Sequence, residues 1–444
     1  MKIWDKGFSI DKRIETFTIG KDRELDVWLA PFDILGSMAH SRMLHKIGLL
    51  EEEELKQLLQ GLKDIYAEVE KGEFEIEEGI EDVHSQVELM LTRKLGDVGK
   101  KVHSGRSRND QVLLDLRLYI RHEIETLVQL ANKLFNTLIR LSEKHKDVLL
   151  PGYTHTQVAM PSSFGLWFGA YAESLVDDLT VLQAAYKVSN QNPLGSAAGY
   201  GSSFPLDRSM TTQLLGFESM SYNVVYAQMG RGKVEKTVSF ALASLAATLG
   251  KMAADVCLYM SQNFGFITLP DHLTTGSSIM PHKKNPDVFE LMRAKANKLQ
   301  ALPNEITLII TNLTSGYHRD LQLVKESFLP AFEDLKDCLS ISEYMLNHVQ
   351  VNTQIMEDEK YKYLFSVEAV NQEVLNGVPF RDAYKKVGAQ IADGTYRPMK
   401  ELKHTHEGSL GNLCNEQIVG KMKQVLSLFT FEQVNEALDS LKKN

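Results

Sequence analysis

The sequence predicts an all-α protein, and three observations carry that prediction. Four long stretches of the 444-residue chain contain neither Gly nor Pro, namely 106–150, 170–192, 233–249 and 331–376. Alternating apolar and polar residues, the pattern of a half-buried strand, are scarce. Apolar residues in the longest of these stretches instead recur at the three- and four-residue spacing of one helix face.

The longest stretch predicts a single helix of about 40 residues, which would extend about 60 Å at about 1.5 Å per residue. Its apolar stripe is formed by Leu116, Ile120, Ile124, Leu127, Ala131, Leu134, Leu138 and Leu141. One compact domain cannot cover a helix of that length. We therefore expect it to pack in a long bundle, which subunits could share. The same pattern predicts further helices near 162–190, 222–264, 286–313 and 321–349.

Gly and Pro are concentrated in a few connectors, at 151–152, 193–205, 265–286 and Gly316. These connectors divide the chain into three predicted helical domains: an N-terminal domain (1–106), a central long-helix bundle (107–350) and a C-terminal domain (351–444). An acidic stretch with some alternation, Glu-Phe-Glu-Ile-Glu-Glu at 73–78, is predicted to be a loop or a small hairpin.

Composition excludes several classes of protein. There are 49 Lys and Arg residues against 58 Asp and Glu, giving a net charge of −9 that argues against a general nucleic-acid coat. Three widely spaced cysteines (Cys257, Cys338 and Cys414) form neither a disulfide framework nor a zinc pattern. The first residues are charged where a signal peptide would be apolar, and no 18-residue apolar run is evident. We expect a cytoplasmic globular protein with no membrane segment.

The connector Gly-Ser-Ser-Ile-Met-Pro-His-Lys-Lys-Asn-Pro-Asp at 276–287 is the first candidate for chemistry. Its glycine and small hydroxyls offer exposed backbone N–H groups, which suit the binding of an oxyanion. Asn285 followed by Pro286 predicts a helix start with Asn285 as the N-cap, so the positive helix end would lie beside Ser277 and Lys283. The alternative is a serine-rich loop that leads into an ordinary helix.

The segment Ser-Gly-Arg-Ser-Arg-Asn-Asp-Gln at 104–111 opens the longest helix. Arg108 can hold a carboxylate through two parallel hydrogen bonds, and Ser107 and Asn109 can add neutral contacts. The alternative is a solvated helix cap with Asn109 or Asp110 at the N-cap position. The sequence leaves both interpretations open.

Two further segments carry polar groups at the ends of predicted helices. His155, in Gly-Tyr-Thr-His-Thr-Gln at 152–157, is the best candidate for proton transfer because histidine is the residue type that ordinarily exchanges protons near neutral pH. A lone histidine there is more often a satisfied polar residue. In the segment 316–325, Gln322 and Lys325 share a helix face, although an ordinary amphipathic turn would show the same pattern.

Two other patterns are discounted. The glycine-rich run at 195–201 has no preceding strand, so it does not predict a dinucleotide site. His404 and His406 have no carboxylate or cysteine at ligand spacing, so we expect no metal. No other motif calls for a cofactor.

Taken together, these segments resemble a known group of enzymes. The run at 276–286 resembles the shared loop of the fumarase/aspartase superfamily. Ser-Arg-Asn-Asp-Gln at 107–111 and the segment 152–157 resemble the argininosuccinate lyase family within it, supported by Glu-Asp-Val-His-Ser at 81–85 and by 192–199. The resemblance extends from about residue 18 to residue 330.

The resemblance implies a carbon–nitrogen lyase that cleaves argininosuccinate into arginine and fumarate by anti elimination, without cofactor or metal. It also implies a homotetramer whose central helices form a twenty-helix core, with each active site shared between subunits. Ser277 would be the base, Lys283 would stabilise the negative charge that develops, and His155 would give a proton to the leaving nitrogen. Glu290 would pair with His155.

The substrate contacts implied by the resemblance are Thr18, Asp22, Ser107, Arg108, Asn109, Thr154, Asn285, Tyr317, Gln322 and Lys325. His282 stands where the family usually has Gln, and the stretches 20–26 and 222–237 fit loosely. These departures affect the substrate contacts more than the class of reaction.

Two alternatives stay open. One is a different lyase of the superfamily, such as adenylosuccinate lyase, which would need groups that hold a phosphate. The other is a structural paralogue without activity, which the presence of Ser277, His155, Lys283 and Glu290 disfavours.

Overall fold

The computed structural model describes residues 11–399, 402 and 404–443, and helices dominate that part of the chain. The strands in it are short and pair two by two. The predicted all-α class is therefore confirmed.

The helices between Lys12 and Lys100 come first in the described chain. Most of them pack around a hydrophobic core that also includes Leu114, Leu118, Leu194, Leu215, Phe217 and Leu441. These helices are α1 (Lys12–Ile19), α2 (Asp22–Asp26), α3 (Ala30–Lys46), α4 (Glu52–Glu70), α5 (Val83–Leu95) and α6 (Asp97–Lys100). Asp82 caps α5 by accepting the Ser85 N–H at 2.8 Å. Residues 73–78 form a loop, as predicted.

The longest helix, α7 (Arg108–Lys144), has 37 residues. All eight members of its predicted apolar stripe are buried. Its N-cap is Ser107, so the alternative with Asn109 or Asp110 at that position was wrong. Asp110 instead completes a capping box, in which its carboxylate accepts the Ser107 N–H at 2.8 Å.

A hairpin follows α7, formed by antiparallel strands β1 (Leu149–Thr154) and β2 (Gln157–Ser163). The two residues between them, His155 and Thr156, have φ values of 53° and 61°. Positive φ at both central residues is typical of the tight turn that matches the twist of paired strands. The sequence did not predict these strands because neither turn residue is Gly or Asn.

The central bundle continues with long helices that confirm the four remaining predicted segments, apart from one break. The elements of this part are α8 (Phe164–Ser189), β3 (Gln191–Asn192), α9 (Arg208–Leu214), β4 (Ser219–Met220), α10 (Val224–Met229), α11 (Lys233–Tyr259), β5 (Ile267–Thr268), α12 (Asp287–Ile310), α13 (Val324–Leu346) and β6 (Gln350–Val351). The break separates α10 from α11 at Gly232, whose φ of 77° favours glycine.

Helix α12 begins one residue later than predicted. Pro286 occupies the N-cap position, so the prediction of Asn285 as N-cap was wrong. The side-chain amide of Asn285 instead donates to the Gly276 carbonyl at 3.3 Å, and its backbone N–H donates to the Thr275 carbonyl at 2.8 Å. These bonds close the base of the loop at 276–284.

Helix α11 is rich in apolar residues, although charged residues such as Lys251 and Asp255 interrupt them, so it is not an unbroken 18-residue apolar run. By length and composition alone it could cross a membrane, a property that it shares with core helices of globular proteins, and half of its most apolar window is buried. Phe240 on this helix is 54% exposed, and Leu291 on α12 is 67% exposed. The packed helices α11 and α12 therefore both keep apolar side chains on the surface of the single chain.

The last part of the chain is helical as well, with α14 (Ser366–Leu375), α15 (Phe380–Ala392), α16 (Asn415–Leu426) and α17 (Phe431–Lys443). Helices α14 and α15 share a small core, while α16 packs on α8 and α17 packs on α3 and α9. The domain boundaries at 106 and 350 stay a prediction.

Candidate active site

A charged cavity of about 100 Å³ lies where α2, the start of α7 and the start of α13 meet. Six predicted substrate contacts line this cavity: Asp22, Arg108, Asn109, Tyr317, Gln322 and Lys325. The other lining residues were not predicted as contacts: the apolar Val112 and six ionisable groups, Asp26, Glu81, Asp82, His84, Arg231 and Arg319. Segments separated by up to 300 residues of sequence are thus brought to one place.

Arg108 is held on one side of the cavity by two acids. Its Nη1 lies 2.6 Å from Asp82 Oδ2 and 3.1 Å from Glu81 Oε2, and Arg319 also pairs with Glu81. Burial alone would raise the pKa of Asp82, but the nearby charges of His84 and Arg108 outweigh burial and lower it. Asp82 therefore stays ionised and holds the guanidinium group of Arg108 at the start of α7.

Lys325 is held on the other side and is only 4% exposed. Its Nζ lies 2.5 Å from Asp26 Oδ1 and 2.8 Å from Asp22 Oδ1. Burial raises the pKa of Asp22 to about 6, although Lys325 opposes the shift. A ligand that competes for Lys325 would therefore meet a carboxyl group that can take up a proton near neutral pH.

The end of α1 is tied to this side of the cavity by Gln322. Its Nε2 donates to the carbonyls of Thr18 at 3.0 Å and Ile19 at 2.8 Å. The Thr18 hydroxyl donates to the Ile14 carbonyl of its own helix, and Thr18 does not line the cavity. A substrate contact by Thr18 stays a prediction.

Beneath the cavity, His84 lies between two buried acids. Its Nδ1 is 2.7 Å from Asp33 Oδ1 and 3.6 Å from Asp115 Oδ2. Burial alone would lower the pKa of His84, but the two carboxylates outweigh burial and raise it to about 9. His84 is therefore cationic at neutral pH and adds positive charge to the cavity wall.

Asp33, His84 and Asp115 could also hold a metal ion, since their ligand atoms lie within 4.8 Å of one another. A protonated His84 already compensates these acids, and a protonated imidazole nitrogen cannot ligate a metal. Nothing in the sequence indicated that these three residues lie together. The expectation of a metal-free enzyme stays a prediction.

The loop at 276–284 directs two backbone N–H groups at the hydroxyl oxygen of Ser277. The hydroxyl oxygen of Ser277 accepts the N–H of Ile279 at 3.2 Å and the N–H of Met280 at 3.1 Å. Two donors aimed at one hydroxyl oxygen favour its deprotonated form. Lys284 pairs with Asp271 across the base of the loop. The loop is exposed, as expected for a segment that could close over a ligand.

The other predicted catalytic groups lie at exposed positions outside the charged cavity. His155 is at the tip of the hairpin, Lys283 is in the exposed loop, and Glu290 is in the first turn of α12. Within the described residues, no hydrogen bond or ion pair joins His155 to Glu290, so one chain alone does not form the predicted pair. In one chain, six of the predicted substrate contacts therefore line the charged cavity, while the predicted proton-transfer groups lie on the surface.

The remaining predicted contacts are distributed between these places. The Ser107 hydroxyl accepts the Asn109 N–H at 3.3 Å as part of the α7 cap. Thr154 is exposed at the end of β1, and Asn285 closes the base of the loop. Neither Thr154 nor Asn285 lines the charged cavity.

Some of the missed groups had a sequence signal. The motif Glu-Asp-Val-His-Ser at 81–85 contains Glu81, Asp82 and His84. Asp26 shares a helix face with Asp22, four residues earlier. Arg231 had none, because it lies in the stretch that departs from the family pattern. Its Nε lies 2.8 Å from Glu235 Oε1.

Comparisons with known proteins agree with the fold and the motifs. A family model described as Lyase matches residues 4–301. An argininosuccinate lyase of Parabacteroides distasonis is 66% identical over 436 residues, which cover 98% of each chain. One of Bacteroides fragilis is 64% identical over 440 residues, covering 99% of this chain and 98% of that protein.

Among solved structures, an EDDS lyase variant with bound fumarate matches with a TM-score of 0.79 at 20% identity. The match covers 98% of this chain and 94% of the other. At that identity the likeness concerns the fold alone.

Proposed function

The chain belongs to the argininosuccinate lyase family, and from that premise we propose that it cleaves argininosuccinate into arginine and fumarate by anti elimination across a carbon–nitrogen bond. The observation that carries the proposal within the structure is the charged cavity, which gathers six of the predicted substrate contacts. The enzyme is a carbon–nitrogen lyase.

The charges of the cavity match those of argininosuccinate, which carries several carboxylates together with an ammonium and a guanidinium group. The cavity cations are His84, Arg108, Arg231, Arg319 and Lys325, and its acids are Asp22, Asp26, Glu81 and Asp82. Each of these cations is already paired with an acid, so substrate binding exchanges one set of ion pairs for another.

The reaction begins with removal of a weakly acidic proton next to a substrate carboxylate. Ser277 is the base, because the N–H groups of Ile279 and Met280 support its deprotonated oxygen. The carbanion delocalises into the carboxylate, so the main electrostatic task is to hold extra negative charge. Lys283 and the start of α12 supply positive charge for that step.

Proton delivery to the leaving guanidino nitrogen falls to His155, oriented by Glu290. These two residues do not pair within one chain, so we propose that they meet across a subunit boundary in a homotetramer. The exposed apolar side chains Phe240 on α11 and Leu291 on α12 support such an assembly. The central helices of the subunits would then form the twenty-helix core.

The decisive experiment follows fumarate release by ultraviolet absorbance with purified protein and each of two substrates. We expect release from argininosuccinate and none from adenylosuccinate. Release from adenylosuccinate alone would assign the chain to the other lyase. Silence with both substrates, from protein that is folded and correctly assembled, would indicate a structural paralogue.

The shared site has its own experiment. Arg108→Ala disables the substrate-holding cavity, and Ser277→Ala disables the base on its loop. If these residues reach one site from different subunits, mixing the two inactive variants under conditions of subunit exchange restores part of the activity. Mass spectrometry of mixed tetramers verifies the exchange. Mixed tetramers that remain inactive would contradict shared sites.

A further inference from the structure

A second cavity, of about 490 Å³, lies where α17 crosses α3, α4 and α7. It shares no lining residue with the charged cavity. Four aromatic residues from four helices contribute to its walls: Phe32, Tyr66, Tyr186 and Phe431. Ligand sites are commonly clefts of about 300–1,000 Å³ that combine apolar walls with a few polar groups. This cavity has that size and composition.

Arg121 lines the cavity and is 98% buried, with its guanidinium 4.0 Å from the centre of the Phe217 ring. Its Nη1 donates to Asn190 Oδ1 at 3.0 Å and to the Gly216 carbonyl at 3.1 Å, and its Nη2 donates to the Leu215 carbonyl at 2.8 Å. Its Nε has no hydrogen-bond partner. All three acceptors are neutral.

Burial lowers the pKa of Arg121 to about 10, so the side chain stays cationic at neutral pH. Among the described residues, no carboxylate lies within the 4.0 Å that defines an ion pair with it. A buried charge without a counter-ion is costly, and an anion in the adjoining cavity would reduce that cost.

The acids at this cavity already have partners. Glu125 Oε1 accepts the amide of Asn435 at 2.9 Å, and Asp439 Oδ1 lies 2.9 Å from Lys442 Nζ. His122, which also lines the cavity, has its ring centre 5.9 Å from that of Phe32. Arg121 therefore supplies a positive charge without a counter-ion beside the cavity, and the exposed His122 can donate a hydrogen bond, so both favour an anion.

We propose that this second cavity binds a small aromatic carboxylate, with its ring against the aromatic walls of the cavity and its carboxylate toward Arg121 and His122. Aromatic rings pack favourably against one another at centroid distances of about 4.5–7 Å. The elimination reaction uses none of these residues, so the proposal does not depend on the proposed function.

The test uses 3-phenylpropionate as the probe and 3-phenylpropanamide as its neutral counterpart of the same shape. Calorimetry with the full-length protein should show the acid binding about tenfold more tightly or better, the ratio that corresponds to one charge-assisted hydrogen bond. Saturating fumarate should leave probe binding unchanged, because the probe and fumarate would occupy different cavities.

Two variants locate the bound probe. Leu438→Trp places a larger side chain in the cavity and should weaken probe binding by about tenfold or more, since an overfilled site excludes a ligand. Leu375→Trp adds the same side chain on α14, where the native residue is 80% exposed, and should bind the probe as the parent protein does. Arg121→Met also removes the hydrogen bonds to Leu215 and Gly216, so it is used only if circular dichroism shows a folded protein.

Three results would each overturn the proposal. One is equal binding of the acid and the amide, and another is displacement of the probe by fumarate. The third is unchanged probe affinity in a folded Leu438→Trp protein. The proposal would also be rejected if the parent protein bound no probe at concentrations up to about 10 mM. Even a millimolar dissociation constant corresponds to a binding free energy of only about 4 kcal/mol.

Discussion

Replacement of Lys325 by methionine is the sharpest test of the charged cavity. Methionine keeps most of the length of the side chain and removes its charge. Lys325 is nearly fully buried between Asp26 and Asp22, so the variant leaves two acids close together without their cation. One or both acids must then take up a proton or remain as uncompensated buried charges.

The magnitude follows from that environment. Removing one partner of a buried ion pair typically costs about 3–5 kcal/mol, because the remaining charge stays out of water. We expect the free energy of unfolding at pH 7.5 to fall by about that amount, in urea titrations followed by circular dichroism at fixed protein concentration. The loss should shrink toward pH 5, since burial raises the pKa of Asp22 to about 6 and its protonation relieves the repulsion.

The matched control is Lys298→Met, because Lys298 pairs with Asp334 at 3.0 Å on the surface with its own side chain 75% exposed. That variant should change the free energy of unfolding by less than about 1 kcal/mol. A loss of less than about 1 kcal/mol for Lys325→Met as well would refute the argument that this cavity is held by buried charge pairs. So would a loss that grows as the pH falls.

Three further predictions concern the base, the buried histidine and the helix break. Ser277→Ala should nearly abolish turnover while argininosuccinate still binds in calorimetry, and a near-normal rate would remove Ser277 from the role of base. The folded pKa of His84 is raised to about 9, so its stabilising contribution is full below its ordinary value near 6.5 and is lost as pH rises toward 9. The decline in unfolding free energy over pH 7–10 should be smaller in His84→Asn, and identical profiles would contradict a cationic His84. Gly232→Ala should lower the free energy of unfolding by about 1–3 kcal/mol, since φ is 77° and the new Cβ would lie 2.6 Å from Ile310 Cγ2. A neutral effect would show that this backbone relaxes freely.

The prediction of a metal-free enzyme is checked separately. Turnover should survive exhaustive treatment with a chelator, and elemental analysis should find no stoichiometric metal. Bound metal that disappears in Asp115→Asn would instead place an ion beside Asp33 and His84.

The sequence predicted the parts of the structure that depend on local periodicity. The stripe on α7 needs only the 3.6-residue repeat, and every predicted member is buried. The hairpin was missed because His155 and Thr156 adopt positive φ without the usual turn residues, so that tertiary context overrides local preference. The N-cap of α12 was misassigned because the Asn285 amide serves the loop instead of the helix end.

In the charged cavity, too, local sequence patterns identified some residues, while others depend on contacts between distant segments. Arg108 and Lys325 were identified from motifs, but their partners Asp82 and Asp26 depend on contacts 26 and 299 residues away in sequence. Arg231, the lining group without a sequence signal, becomes recognisable only when the segments are brought together. The predicted pairing of His155 with Glu290 is not formed within one chain and stays a prediction for the assembly.

The ion pairs between the cavity cations and their acids also have a consequence for product release. Fumarate alone brings negative groups and no cation that can pair with Asp22 or Asp26, while arginine alone brings too few carboxylates for the cations of the cavity. Once the bond is broken, each fragment competes poorly against the internal ion pairs that the intact molecule displaced. Re-forming those pairs would help to expel both fragments, so the resting cavity would favour turnover over retention.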